Sequence, residues 1–272
     1  MNCLVTGGAG FIGSNLVDSL ISDGHTVTVI DNQSSDAHEN FYWNPAANNI
    51  LADICDESTD KLYKNIDVVF HLAAEARIQS CIENPGQAFQ TNIIGTYKVL
   101  DNSLKAGVKR LVFSSTSAAY GLSNNPPMSE EMPTDCLNPY SVSKVCAEEI
   151  CKMYTKLYNF ETVIFRYFNV YGERQPTKGQ YAPVIGIFQR QQKNKTPLTI
   201  VGSGEQRRDF VYVGDVVRAN IMAAEFDPRN FKNWKWGQVY NVGSGVNYSV
   251  NQIANMIGGT SINLPPRIGE AE

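Results

Sequence analysis

The stretch Gly7-Gly8-Ala9-Gly10-Phe11-Ile12-Gly13 connects an apolar run at residues 2–6 to a segment with helical periodicity. Its glycines suit a tight turn, a close approach of the backbone to a pyrophosphate and packing of a helix on a strand, since each needs a residue without a β-carbon. The N-terminus of the following helix would offer N–H groups to phosphates. The stretch therefore predicts a dinucleotide-binding turn. A glycine-rich turn without a ligand is the alternative, because isolated matches to this pattern are common. The predicted cofactor contacts here are Gly7, Gly10, Phe11, Ile12 and Gly13.

A strand–helix rhythm continues outward from this turn. Residues 26–30 form the next apolar run and close a right-handed βαβ unit with the first one. Further buried strands are predicted at 67–72, 110–114 and 162–165, with helices near 88–106 and 141–158. Such alternation predicts an α/β fold with a doubly wound parallel sheet of the Rossmann type.

The rhythm changes after residue 170, where proline and glycine become denser and the elements shorter. We expect a dinucleotide-binding Rossmann domain over residues 1–170 and a smaller substrate-binding region over residues 171–272. The boundary is soft, because some later segments are expected to return to the main sheet.

Composition excludes several classes of function. The chain has 272 residues and a formal net charge of −4, which argues against a nucleic-acid partner, since such proteins need a basic face. No apolar run approaches the ~20 residues of a membrane span, and the N-terminus lacks the features of a signal peptide. The six cysteines show no zinc-ligand spacing, so no metal site is predicted and free thiols in the cytoplasm are expected.

Asp31 follows the second apolar run, where an acidic side chain would accept hydrogen bonds from the adenosine ribose hydroxyls. A 2′-phosphate would be repelled there unless a basic side chain lay nearby. The first lysine or arginine of the chain is Lys61. Asp31 therefore favours NAD over NADP, whereas a solvated turn residue is the alternative.

A second pattern, Tyr140-Ser141-Val142-Ser143-Lys144, places a phenol and an ammonium group on the same face of a helix. A free tyrosine has a pKa of about 10 and is a poor base at neutral pH. We expect Lys144 to favour the phenolate and lower the pKa of Tyr140, so that it can act as an acid/base. An exposed helix decorated with these residues is the alternative.

With these motifs in place, the chain resembles the extended short-chain dehydrogenase/reductases, the NAD-dependent epimerase/dehydratase family. Within it, the likeness is strongest to UDP-glucose and UDP-N-acetylglucosamine 4-epimerases. The resemblance covers essentially the whole chain. It rests on the glycine turn, Asp53-Ile54, His71-Leu72-Ala73-Ala74, Thr91-Asn92, Ser114-Ser115-Thr116, Tyr140 to Lys144 and Arg166-Tyr167-Phe168-Asn169.

The resemblance implies roles for the matching positions. Tyr140 would be the acid/base, Lys144 would hold the nicotinamide ribose, and Thr116 would bind the sugar 4-oxygen. The cofactor contacts implied beyond the glycine turn are Asp31, Asn32, Asp53, Ile54, Leu72, Ala73, Ala74, Asn92, Tyr140, Lys144 and Phe168. Plain core packing is the alternative for the apolar members of this set.

The resemblance also implies a UDP-sugar as the substrate, bound mainly by residues 171–272. Asn169 would touch it, and Arg208 and Arg267 would clamp its diphosphate, which suits the forked donors of arginine. Surface salt bridges are the alternative for both arginines. The family further implies a homodimer joined by helices near 92–106 and 144–158.

The residues after Thr116 favour one reaction among several. Dehydratases and UDP-glucuronate decarboxylases of the family carry carboxylates there, whereas this chain has Ser117 and Ala118. A UDP-sugar 4-epimerase is therefore the prediction. A dehydratase or decarboxylase that uses an acid from elsewhere is an alternative, and a non-catalytic dinucleotide sensor is another. Family members usually continue past the segment Arg267-Ile268-Gly269-Glu270, so the resemblance implies a shortened C-terminus and leaves the identity of the sugar open. It also leaves open the roles of Glu75 and Arg77.

Overall fold

The computed structural model describes residues 1–35, 41–177, 182–227 and 234–265. Its strands are β1 Asn2–Thr6, β2 Thr26–Asp31, β3 Asn48–Leu51, β4 Val68–His71, β5 Arg110–Thr116, β6 Glu161–Tyr167, β7 Asn169–Tyr171, β8 Leu198–Val201, β9 Arg207–Tyr212, β10 Gln238–Val242, β11 Asn247–Ser249 and β12 Ser261–Leu264. Its α-helices are α1 Phe11–Ser22, α2 Ile78–Glu83, α3 Pro85–Phe89, α4 Thr96–Ala106, α5 Pro139–Tyr158, α6 Val184–Lys193, α7 Val213–Glu225 and α8 Val250–Ile257.

The main sheet has the strand order β3-β2-β1-β4-β5-β6-β10. Every neighbouring pair in it is parallel. The order reverses between β1 and β4, and ligands of such sheets bind beyond the carboxyl ends of the strands at this reversal. The predicted doubly wound parallel sheet is confirmed, and the five strands expected from apolar runs are all present.

Both faces of the sheet are covered, because the side chains of each strand alternate. On β1, Cys3 and Val5 point to the core shared with α1 and α7, while Leu4 points to the core that includes residues of α4 and α5. Burying a side chain of valine or leucine size contributes about 1.5–3 kcal/mol. The two apolar layers thereby hold α1 on one face of the sheet and α5 on the other.

Part of the chain after residue 170 belongs to the main sheet, since β10 pairs with β6. The remaining later strands form, together with β7, a three-stranded sheet, β11-β9-β7, and the strand pair β12-β8. A separate apolar core around Phe188 and Leu198 packs α6 and α8 with these strands. The boundary near residue 170 stays a prediction.

The helix predicted near 88–106 is made of three pieces. Between α3 and α4 lies a turn of π-helix, Gln90–Gly95, which adds a residue to the helical turn. Such insertions occur frequently at functional sites. No α-helix in the described ranges is long and apolar enough to cross a membrane.

Candidate active site

A cleft of about 780 Å³ opens at the carboxyl edge of the main sheet. The predicted residues that line it are Gly7, Gly10, Phe11, Ile12, Gly13, Asp31, Asn32, Asp53, Ile54, Leu72, Ala73, Ala74, Thr116, Tyr140, Lys144, Phe168 and Asn169. These residues come from segments far apart in the chain. The fold therefore brings the predicted cofactor and catalytic residues into one cavity.

The glycine turn packs too tightly for side chains at two of its positions. Gly7 has a φ of +70°, and a β-carbon there would lie 2.7 Å from the backbone nitrogen of Ala73. A β-carbon at Gly13 would collide with the carbonyl oxygen of Gly7. Gly10 caps α1 and has no side chain, so the N-cap residue does not occupy the N–H groups of the first turn. This cradle fits the pyrophosphate of a dinucleotide such as NAD.

Asp31 is held at the end of β2 by two backbone hydrogen bonds. Its carboxylate accepts from the N–H of Ala9 at 3.0 Å and from the N–H of Gln33 at 2.8 Å. It thereby fastens the glycine turn to the neighbouring strand while remaining on the cleft wall. Next to it, the amide of Asn32 donates to Asp53 at 2.8 Å. Both carboxylates thus have fixed positions at the end of the cleft where an adenosine ribose would lie.

The predicted catalytic residues meet where β5 ends and α5 begins. Thr116 is the last residue of β5, and its hydroxyl accepts from the N–H of Ala118 at 3.1 Å. At the start of α5, Asn138 accepts from the N–H of Ser141 at 2.9 Å in a capping box, with Pro139 in the first turn. This cap fixes the helical turn that carries Tyr140. A side-chain interaction between the Thr116 and Tyr140 hydroxyl groups contributes to the ionisation of the phenol.

The expected lowering of the Tyr140 pKa is wrong for the chain by itself. Burial raises the pKa of Tyr140 to about 12, and the hydrogen bond with Thr116 offsets only part of this. Burial also lowers the pKa of Lys144 to about 8, with Cys151 and Glu148 acting in the opposite direction. The ammonium of Lys144 lies 4.2 Å from the centroid of the Phe113 ring. Desolvation is therefore the largest influence on the ionisation of the tyrosine.

Behind the cleft, His71 joins three elements through its two ring nitrogens. Nδ1 lies 2.7 Å from the hydroxyl of Thr6 on β1, and Nε2 lies 2.9 Å from that of Thr96 on α4. Burial lowers the pKa of His71 to about 3, with a smaller effect of the Lys144 charge. His71 is therefore a neutral structural group at physiological pH.

Asn92 does not line the cleft but lies behind the residues that do. It is buried in the π-helical turn, and its side chain bonds both the N–H of Glu75, at 2.8 Å, and the Glu75 carbonyl, at 3.0 Å. Its amide also donates to Ser143 on α5 at 2.9 Å. Asn92 thus ties the segment after β4 to the helix of Tyr140, and its predicted contact with a cofactor would be indirect.

The predicted substrate residues are brought together only in part. Phe168 and Asn169 line the cleft, and the amide of Asn169 donates to the Asp209 carbonyl at 3.1 Å. Arg208, on the adjoining β9, lies outside the lining, and it donates to the Arg207 carbonyl at 2.8 Å. Arg267 falls outside the described residues.

Comparison with known proteins places the chain in a family. A model of the NAD dependent epimerase/dehydratase family matches residues 3–243. The chain belongs to this family. A protein of Methanocaldococcus jannaschii, provisionally named a UDP-glucose 4-epimerase, is 42% identical over 277 residues, which cover 98% of this chain and 87% of that protein.

Solved structures of the family agree closely with the fold. The UDP-glucose 4-epimerase of Thermotoga maritima, with UDP-glucose, is similar at a TM-score of 0.90 and 36% identity, covering 99% of this chain and 87% of that one. The Thermus thermophilus UDP-glucose 4-epimerase complex with NAD has a TM-score of 0.87 at 31% identity, covering 99% and 88%. The predicted family, fold and class of NAD-dependent enzyme are confirmed.

Several cleft residues of this epimerase/dehydratase family member were not singled out from the sequence. At the adenosine end they are Ser34, Ser35 and Phe41, and on α2 they are Gln79, Ser80 and Cys81; Arg77, whose role the sequence left open, lines the cleft just before α2. Cys81 lies close enough to Tyr140 to affect its pKa. The six-residue helix α2 is too short to give a clear periodic signal, which explains why the sequence did not reveal it.

Proposed function

We propose that this protein inverts the configuration at C4 of a UDP-hexose or UDP-N-acetylhexosamine through a 4-keto sugar. The observation that carries the proposal is the meeting of Thr116, Tyr140 and Lys144 in one cleft with a dinucleotide cradle. The residues that follow Thr116, Ser117 and Ala118, supply no carboxylate. The site can therefore oxidise a hydroxyl-bearing carbon but has no second acid at this point to eliminate water.

NAD would be held by the glycine turn, by Asp31 and by Lys144, and when bound it supplies reversible hydride acceptance. Thr116 would orient the sugar 4-hydroxyl by a hydrogen bond. Tyr140 would take the proton from that hydroxyl and return it to the same oxygen once the configuration at C4 has been inverted. Lys144 keeps its positive charge below a pH of about 8. This charge, together with the nicotinamide ring when NAD is bound, would favour the phenolate form of Tyr140.

The alternative reactions need a carboxylate from elsewhere in the cleft. Glu75 lines the cavity on the segment fixed by Asn92. Glu83 on α2 also lines the cavity, so a dehydratase or decarboxylase would draw its acid from one of these two residues. The catalytically silent sensor is disfavoured because the site retains Thr116, Tyr140 and Lys144, which dinucleotide binding alone does not require.

A panel of UDP-sugars analysed by NMR tests the proposal. We expect the C4 epimer as the product, with no net redox change and no loss of water. Deuterium placed at C4 should remain in the product, because the hydride that leaves is the one that returns. A 4-keto-6-deoxy sugar or a pentose as the main product would contradict the proposal, and bound NAD without turnover of any sugar would favour the sensor.

We further infer a homodimer in which α4 and α5 form the contact. Both helices expose apolar side chains: Tyr97 on α4 is 43% exposed, and Leu157 on α5 is 62% exposed. Met153 lies one turn before Leu157, on the same side of α5, and is also exposed. An apolar strip across two neighbouring helices is typical of a protein interface. We also propose a cytoplasmic location, supported by the six free cysteines.

A further inference from the structure

A buried carboxylate lies one helical turn beyond Lys144. Glu148 follows Tyr140 and Lys144 at i+8 and i+4 on α5, so the three side chains share one face of the helix. Glu148 has no solvent exposure. The hydroxyl of Ser115 donates to its Oε1 at 2.5 Å. Since Ser115 precedes Thr116 on β5, this bond connects the tyrosine helix to the strand that carries the threonine.

The same carboxylate is held by a buried arginine from the next strand. Arg166 on β6 donates to Glu148 through Nε at 2.9 Å and through Nη2 at 2.7 Å. Arg166 pairs in register with Ser115 on one side and with Asn241 on the other. The contact to the carboxylate is therefore forked, which fixes both its distance and its orientation.

An aromatic ring packs against the guanidinium of the arginine, whose Nη1 is buried and has no hydrogen-bond partner among the described residues. The guanidinium lies 4.7 Å from the centroid of the Tyr120 ring, and the hydroxyl of Tyr120 donates to Asn241 at 2.7 Å. Tyr120 ends the short helical turn that begins after Thr116. The cluster of Glu148, Arg166, Ser115 and Tyr120, here called the clamp, thus joins α5 to both sides of the threonine.

Stability alone gives no reason for such a cluster. Desolvation of two charges can exceed their attraction, and apolar replacements of a buried pair are often as stable. Apolar contacts also allow a helix to slide slightly, whereas a forked ion pair does not. A rigid contact of this kind is valuable for placing reacting groups, because a displacement of about 1 Å can reduce the rate about 100-fold.

We propose that Glu148, held by Arg166 and Ser115, is a positioning residue that sets the distance of Tyr140 and Lys144 from Thr116. It touches neither the cleft nor the substrate, and it acts through the placement of α5. This inference rests on the proposed 4-epimerase function. Glu148 also stabilises the charged form of Lys144. Other titratable groups near Lys144 or Glu148 are His71 on β4, Arg166 on β6, Cys151 on α5 and Cys136 before α5.

The test compares Glu148→Gln with the wild-type protein. We expect kcat to fall about 10- to 100-fold, while KM for the UDP-sugar changes less than about twofold because no substrate contact is lost. The alkaline fall of kcat should begin at a lower pH, since the amide no longer stabilises the Lys144 ammonium. The pKa of Lys144, measured by NMR on the protein without added substrate, should be lower in the variant.

The chain offers a matched control on the same two strands. Arg110 and Glu161 pair in register at the opposite end of β5 and β6, with an Nη2–Oε2 distance of 2.7 Å, and Arg110 is 1% exposed. Glu161→Gln also leaves a buried arginine without its carboxylate, so it should lower thermal stability. It should change neither kcat nor the pH profile.

The inference is overturned if Glu148→Gln keeps its kcat and pH profile, or if Glu161→Gln loses activity to the same extent. Should Glu148→Gln not fold, Ser115→Ala decides, because it leaves the ion pair intact. Because Ser115 also lines the cleft, a several-fold loss of kcat at unchanged KM and melting temperature supports the clamp. An unchanged kcat, or a loss that appears only as a raised KM, refutes it. If the wild-type protein inverts no UDP-sugar, the proposed function fails, and the Lys144 titration by itself then tests the effect of Glu148.

Discussion

At the scale of single residues, Asp31 shows how one side chain can serve both structure and selectivity. Its carboxylate holds the glycine turn through Ala9 and Gln33 and also faces the cleft. We expect the protein to bind NAD much more tightly than NADP, because a 2′-phosphate would meet this negative charge. Asp31→Ala should weaken NAD binding and reduce the preference for NAD over NADP, as measured by calorimetry.

Asp53→Asn is the control, because it removes a neighbouring charge and keeps an acceptor for the N–H of Cys55, while the bond from the Asn32 amide is lost. It should leave the ratio of the two affinities nearly unchanged. Equal affinities for NAD and NADP in the wild-type protein would contradict the role given to Asp31.

Tyr140 carries a second residue-scale prediction. Tyr140→Phe should keep NAD binding but reduce turnover about 10²- to 10⁴-fold, the usual contribution of a general acid/base. The buried Tyr63 is a suitable control, since its hydroxyl has no hydrogen-bond partner among the described residues and lies outside the cleft lining. Tyr63→Phe should turn over normally. A Tyr140→Phe variant with a near-normal rate would remove the phenol from the mechanism.

The sequence predicted which side chains meet at the site but not their ionisation. The spacing of Tyr140 and Lys144 is local information, and so is the position of Thr116 at a strand end. The pKa of Tyr140 depends instead on how deeply tertiary packing buries the phenol. Glu148 was missed for a related reason: its i+4 spacing from Lys144 is common on exposed helices, and only the fold places Arg166 and Ser115 around it.

At the scale of elements, strands were predicted more completely than the helix near 88–106. Buried parallel strands read as short apolar runs, and β1, β2, β4, β5 and β6 all gave that signal. The π-helical turn at Gln90–Gly95 gave none, because one added residue hardly changes an average periodicity. It nevertheless aims Asn92 at the backbone of Glu75, so this local irregularity shapes the cleft wall.

His71 joins β1, β4 and α4, and it makes their association sensitive to acid. Its folded-state pKa, about 3, lies well below the ordinary 6.5. Below pH 6.5 the histidine of the unfolded chain binds a proton, whereas His71 in the native state stays neutral. The contribution of this group to the free energy of unfolding is therefore fully present above pH 6.5 and declines as the pH falls toward 3. The slope from this group is about 1.4 kcal/mol per pH unit.

Urea unfolding of the wild type and His71→Gln between pH 7 and 4 measures this effect. The variant should be less stable at pH 7, since glutamine replaces the contacts to Thr6 and Thr96 imperfectly. Its free energy of unfolding should vary less with pH than that of the wild type. Identical slopes for the two proteins would show that other groups control the acid sensitivity.

At the scale of the whole molecule, long-range pairing was the part least visible in the sequence. β10 starts at Gln238 and joins the edge of the main sheet beside β6, after the chain has contributed β7, β8 and β9 to two smaller sheets. Such pairing depends on the packing of all intervening segments, so a run of residues cannot specify it. The same limit applies to Arg208, whose place on β9 beside β7 brings it near Asn169 but not into the cleft lining.

The two faces of the main sheet also differ in what they expose, and this difference leads to the prediction for the assembly. Helices α4 and α5 present Tyr97 and Leu157, whereas α7, on the other face with α1, exposes Met222 at 64%. We expect a homodimer in sedimentation velocity at micromolar concentration. Tyr97→Glu combined with Leu157→Glu should give a monomer, because two charges would be buried against apolar surfaces at each symmetric contact. Met222→Glu, a change of the same kind on α7, should remain dimeric. A wild-type protein that sediments as a monomer, or a Met222 variant that dissociates as readily as the double variant, would show that the α4–α5 strip is not the contact.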